Sequence, residues 1–130
     1  MAARVGIVLV SHSERLAAGL AELLGQLAPE VRVAPAAGDA EGGLGTSDER
    51  VRAAVGTVDS GYGVVVLADL GSAVLTVLDV LAEWRRDDVV LADAPLVEGA
   101  VAAAVLAGTG AELSDVVAAA REAREIPKLP

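Results

Sequence analysis

The sequence predicts an α/β fold: a single domain built on a mostly parallel, doubly wound sheet of four or five strands, with helices on both faces. Three observations predict it. Apolar runs of strand length alternate along the chain with segments of helical period. The runs beginning at Val5, Val64 and Val89 are continuous rather than alternating, as expected for strands covered on both faces. No linker and no internal repeat divides the 130 residues, a length that suits one domain, taken as residues 1–130.

Each element follows from local pattern. Val5-Gly6-Ile7-Val8-Leu9-Val10 reads as a buried strand that ends at Ser11-His12-Ser13-Glu14. A helical pattern then begins, with Leu16, Leu20, Leu23, Leu24 and Leu27, running from near Ser13 and stopping before Pro29. A short strand is expected over Val31 to Ala34, then a loop from Ala36 to Thr46 holding Gly38, Gly42, Gly43 and Gly45. Thr46 or Ser47 caps a second helix, whose first turn carries Glu49 and Arg50 and whose buried stripe is Val51, Ala54, Val55 and Val58. Gly61 and Gly63 break the chain before a strand from Val64 to Ala68. The third helix is read from about Ser72 to Trp84, with Val74, Leu75, Leu78 and Leu81 inward. After the charged turn Arg85-Arg86-Asp87-Asp88, Val89 to Ala92 forms a fourth strand. Asp93 to Gly99 leads into a fourth helix that ends near Gly108. Ser114 is expected to cap a last helix from Asp115 to about Arg124, and Pro127 and Pro130 mark a frayed end.

Composition narrows the function. Hydrophobic residues make up 54%, which argues against disorder, and Phe is absent. Tyr62 and Trp84 are the only aromatics, so there is almost no platform on which bases would stack. A net charge of -9 is the wrong sign for a phosphate-backbone binder, so no nucleic-acid partner is expected. The acidic groups are dispersed, which fits a solvated surface and would also favour encounter with basic partners. Cysteine is absent and there is one histidine, which removes disulfides, thiol chemistry and Cys or His metal clusters; no metal and no cofactor are expected. Met1-Ala2-Ala3-Arg4 leads directly into a strand without a secretory signal, and no apolar stretch is long enough to span a bilayer. The expectation is a cytoplasmic protein with no membrane partner.

The chemistry is expected at the ends of the strands. His12 stands at a strand-to-helix junction between two serines, in the crevice where open α/β sheets place their active groups. Asp69, in Asp69-Leu70-Gly71-Ser72-Ala73, follows a second strand and would share that edge. One reading of Asp69 is a turn or cap residue before a helix. The other is a carboxylate that accepts a hydrogen bond from one ring nitrogen of His12, leaving the other as nucleophile and stabilising the charge that develops on the ring. Gly71 and Ser72 would then present helix N–H groups to an anion. Ser13 fits a helix cap, a role compatible with a phosphate contact. Thr46 is a further, weaker candidate from the glycine-rich loop, which otherwise reads as a flexible surface connection. Glu98 is most simply a first-turn helix acid. There is no G-x-x-x-x-G-K-[ST] and no G-x-G-x-x-G, so neither a P-loop nor a dinucleotide motif supports nucleotide binding by this chain.

Val8-Leu9-Val10-Ser11-His12-Ser13, the Gly38 to Thr46 loop, Asp69-Leu70-Gly71-Ser72-Ala73 and Ala94-Pro95-Leu96-Val97-Glu98-Gly99 occur in one order. Together they resemble the phosphotransferase subunit of the phosphoenolpyruvate-dependent dihydroxyacetone kinase, a mannose-type IIA domain of the sugar phosphotransferase system. The resemblance covers about residues 4 to 124. It implies that His12 carries a phosphoryl group, paired with Asp69. It implies a donor, the histidine-containing phosphocarrier protein, and an acceptor, ADP held on a separate dihydroxyacetone kinase subunit. It also implies a homodimer. In some members further phosphocarrier domains follow; this chain resembles the single-domain form.

Three rival readings are weighed. An aspartate-phosphorylated receiver domain would need an acidic pair after strand one to hold Mg²⁺, where this chain has Ser11-His12. A non-catalytic α/β regulatory module shares the scaffold, because fold does not fix function. A IIA domain of a mannose-class sugar transporter would use the same chemistry with a different recipient.

Overall fold

The computed structural model describes residues 3–130. Met1 and Ala2, the start of the lead-in to the first strand, lie outside the described residues. The elements run β1 (Gly6–Ser11), α1 (Glu14–Leu27), β2 (Val33–Ala37), α2 (Asp48–Val58), β3 (Val64–Ala68), α3 (Gly71–Trp84), β4 (Val89–Leu91), α4 (Leu96–Gly108) and α5 (Leu113–Glu122), then a short 3-10 turn, Ala123–Glu125. The four strands form one parallel sheet in the order β2-β1-β3-β4. The fold is α/β and doubly wound, as the alternation of patterns predicts.

The continuous apolar runs of β1 and β3 are explained by the pleat, which sends successive side chains to opposite faces. Ile7 and Leu9 of β1, with Val65 and Leu67 of β3, face one core layer with Leu20 and Leu24 of α1, Ala100, Ala103, Ala104 and Ala107 of α4, and Val116 and Ala120 of α5. Val8 and Val10, with Val64, Val66 and Ala68, face a second layer with α2 and α3. Small side chains let the helices lie close. A Cβ on Gly6 would stand 2.5 Å from the Val58 carbonyl, so the end of α2 rests directly on β1.

At the sheet end remote from His12, Trp84 is flanked by two guanidinium groups, Arg52 at 5.2 Å and Arg86 at 5.4 Å from the ring centre. Arg86 also donates to Asp59 (2.7 Å) and Asp88 (2.9 Å). Those hydrogen bonds hold both carboxyls below their ordinary range. The cluster joins the end of α2, the end of α3 and the approach to β4.

The structure departs from the sequence pattern in β2, α3, α5 and α1. β2 occupies Val33–Ala37, not Val31 to Ala34, and so contains Pro35 and the first two residues of the expected loop. The register with β1 sets these bounds, Ile7 opposite Val33 and Ser11 opposite Ala37. Proline is tolerated because β2 is an edge strand. The buried face of α3 is Ala73, Val77 and Val80, with Val74 and Leu81 partly covered; Leu75 and Leu78 point outward. α3 is apolar on nearly every side, so period alone does not set its phase, and the small and β-branched residues pack against the sheet. That helix also starts at Gly71 rather than Ser72. α5 starts at Leu113 with Glu112 as its cap residue, two residues ahead of the expected Ser114 cap. In α1, Leu20 and Leu24 are buried, while Leu16, Leu23 and Leu27 are exposed.

Candidate functional site

The chain leaves β1 toward β2 on one side and later returns to β3 on the other, so the carboxyl ends of β1 and β3 flank a topological switch point. Side chains following those two strands meet there by construction. His12 comes directly after β1 and Asp69 directly after β3, and the Asp69 N–H donates to the Val10 carbonyl at 3.1 Å.

Asp69 is held on all sides. Its Oδ2 accepts from the Ser11 hydroxyl (2.9 Å) and the His12 backbone N–H (3.0 Å). Its Oδ1 stands 2.9 Å from His12 Nδ1 and accepts from the Leu70 N–H at 2.7 Å. Burial pushes this carboxyl up, but the His12, Ser11 and Leu70 hydrogen bonds outweigh that and keep it below the ordinary range. It is therefore an anion at neutral pH. An anion can only accept, so Nδ1 donates to it, and in the neutral ring this tautomer leaves the lone pair on Nε2.

Nε2 points at the start of α3, where the Ser72 hydroxyl lies 2.5 Å away and donates to it. No side chain caps α3. The first N–H groups of a helix have no intrahelical acceptor, so those of Gly71 and Ser72 lie at the open start of α3, on the turn whose Ser72 hydroxyl meets Nε2. A Cβ placed on Gly71 would meet no neighbouring atom within 4 Å, so the backbone is open on that side. The His12 side chain is 25% exposed, so a partner can reach it.

Ser13 caps α1, its hydroxyl accepting from Leu16 N–H at 3.2 Å, and its own hydroxyl hydrogen is left to donate. Thr46 is not brought to the ring: its hydroxyl bonds Thr76 at 2.8 Å, and Ser47, not Thr46, caps α2. Glu98 lies in the first turn of α4 and pairs with Lys128 at 2.9 Å. Sequence reasoning gives no role to Ser11, the one buried polar residue among the described residues, whose hydroxyl donates to Asp69 and accepts from Ser13 N–H at 3.1 Å. A serine closing an otherwise apolar strand is the signal that marks it. It also misses Thr76 and the ordering of the glycine-rich loop. Among the described residues no group of three His, Asp or Glu side chains is placed to hold a metal ion, and no helix is long and apolar enough to cross a membrane.

A family model described as the PTS system fructose IIA component, EIIA-man, matches residues 6–117, a span that takes in His12, Asp69 and all four strands. The chain belongs to the EIIA-man family. Among its relatives, the phosphoryl donor subunit DhaM of the PEP-dependent dihydroxyacetone kinase of Escherichia coli is 40% identical over 128 residues, covering 93% of this chain and 27% of that protein. This chain thus spans about a quarter of the length of that curated relative. The corresponding subunit of dihydroxyacetone kinase 1 from Listeria innocua is 34% identical over 104 residues, covering 80% of this chain and 82% of that protein. These relatives meet the resemblance drawn from the ordered motifs. A crystal structure of a protein of unknown function superposes with a TM-score of 0.82 at 33% identity, covering 92% of this chain and 94% of that one. A sigma-54 interaction domain protein from Enterococcus faecalis, at 17% identity and a TM-score of 0.69, shares the fold of this chain.

Proposed function

We propose that this domain is a cytoplasmic phosphohistidine carrier. It takes a phosphoryl group from the histidine-containing phosphocarrier protein onto His12 Nε2 and passes it to ADP bound on a dihydroxyacetone kinase subunit. The observation that carries the reading is the His12 ring held between the Asp69 carboxylate and the Ser72 hydroxyl at a helix N-terminus. In the first step the Nε2 lone pair forms a bond to phosphorus as the donor's P–N bond breaks. Asp69 stabilises the positive ring that results. Ser72 swings off Nε2 and donates to a phosphoryl oxygen, joined by the N–H groups of Gly71 and Ser72 and the Ser13 hydroxyl. In the second step a β-phosphate oxygen of ADP bonds phosphorus, the P–N bond breaks, and the electron pair returns to Nε2. Thr46 acts one layer out, through Thr76. The domain works as a homodimer, a reading supported by the exposed Leu16, Leu23 and Leu27 on one side of α1.

The test incubates the chain with phosphoenolpyruvate, the general phosphotransferase enzyme and the histidine-containing phosphocarrier protein. One acid-labile, base-stable phosphate per chain is expected. Added ADP-loaded kinase subunit should discharge it, free Mg-ADP should not, and the transfer should slow with salt because the chain carries a net charge of -9. Absence of labelling, or rapid ATP formation from free Mg-ADP alone, would end the relay reading. The fructose IIA description of the family favours one alternative recipient, a sugar-transport subunit, and discharge by such a subunit but not by the kinase would select it.

A further inference from the structure

The loop between β2 and α2 is an ordered element, and its order centres on Asp39. The Asp39 carboxylate Oδ1 accepts from the N–H groups of Glu41 (3.0 Å) and Gly43 (2.8 Å). The Asp39 backbone closes the same turn, its N–H donating to the Gly43 carbonyl (2.9 Å) and its carbonyl accepting from Gly42 N–H (3.0 Å). The chain then folds back over Asp39 so closely that a Cβ on Gly45, where φ is +145, would stand 3.2 Å from the Asp39 Cβ. That fold-back delivers the Gly45 N–H to the His12 carbonyl oxygen at 3.0 Å. The next residue, Thr46, bonds Thr76, whose hydroxyl donates to the Ser72 carbonyl at 3.2 Å. One loop thus grips the backbone of His12 and the turn that carries Ser72.

We propose that Asp39 is a positioning residue for phosphoryl transfer, setting the His12 ring against the start of α3 through the loop it ties. The inference rests on His12 as the carrier. Asp39 touches neither the ring nor the phosphoryl group; its two accepted N–H bonds fix where Gly45 and Thr46 fall, and those residues fix the two sides of the site. Loss of a positioning contact away from the reacting atoms degrades transfer through small misplacements rather than by removing a reacting group.

The test compares Asp39→Ala and Asp39→Asn in the full chain, labelled with ¹⁵N-histidine. Single-turnover phosphorylation gives the rate, and the ring-nitrogen signals of the unphosphorylated protein give the placement of His12. Asp39→Ala is expected to transfer about tenfold more slowly and to shift the ring signals. Asp39→Asn keeps an oxygen that accepts both N–H groups, so it should stay within about twofold of the parent in rate and keep the parent's ring signals. Parental rate or parental ring signals in Asp39→Ala would overturn the proposal, as would equal impairment of Asp39→Asn. A parent chain that takes no phosphate would instead overturn the carrier reading, and the ring signals would still decide whether Asp39 places His12.

Discussion

His12→Gln should accept no acid-labile phosphate, whereas the parent labels to one per chain. His12 is the only histidine in the sequence, so no second imidazole can substitute. The same substitution should leave the fold standing. The side chain lies at the edge of the sheet, outside both core layers. Its main link to the protein is the hydrogen bond to Asp69, whose loss costs about 1–3 kcal/mol. A cooperative melt beside absent labelling is the expected pair of results. Stoichiometric labelling of His12→Gln would place the phosphoryl group elsewhere.

Asp69→Asn should slow transfer by on the order of a hundredfold or more while the domain stays folded. The carboxylate receives four donors: the Ser11 hydroxyl, the His12 N–H, the His12 ring and the Leu70 N–H. An amide has one oxygen and one NH₂, so one pair of those donors must meet a donor. If the NH₂ faces Nδ1, the ring proton moves to Nε2 and the lone pair needed for attack is lost. In either orientation the negative charge that balances the phosphorylated ring is gone. The pH dependence follows from the same bonds. Because the folded carboxyl sits below its ordinary range, ionised Asp69 stabilises the fold at neutral pH. That contribution is lost as pH falls through the folded value. The Asn variant should therefore lose less stability on acidification than the parent, as read from chemical melts. Parental transfer kinetics in Asp69→Asn would leave Asp69 as a turn-former only.

Much of this was legible in the sequence because two strong signals coincide. Continuous valine and leucine runs mark β1 and β3 as doubly covered, and parallel pairing brings whatever follows them to one edge. The sequence pattern thus places His12 and Asp69 together at that edge. β2 was harder, since Val33-Ala34-Pro35-Ala36-Ala37 has little strand character of its own and takes its bounds from β1. The phase of α3 is not legible from its period, because the outward Leu75 and Leu78 are as apolar as the residues it buries. The glycines at 38–45 suggested a loose connection, but their positive φ values at Gly38, Gly42 and Gly45 serve a tight turn around Asp39. Side-chain to backbone bonds of that kind have no periodic trace. The role of Ser11 has no local trace either, because it depends on Asp69, 58 positions away.

On the proposed function, Asp69 holds Nδ1 and leaves Nε2 to carry phosphorus. Nitrogen and phosphorus NMR of the phosphorylated, ¹⁵N-histidine-labelled chain tests it directly, since a single histidine gives an unambiguous assignment. The predicted result is a phosphorus coupling to Nε2, with Nδ1 still protonated and hydrogen-bonded. Phosphorus coupled to Nδ1, or a base-labile phosphate with an unmodified ring, would contradict it.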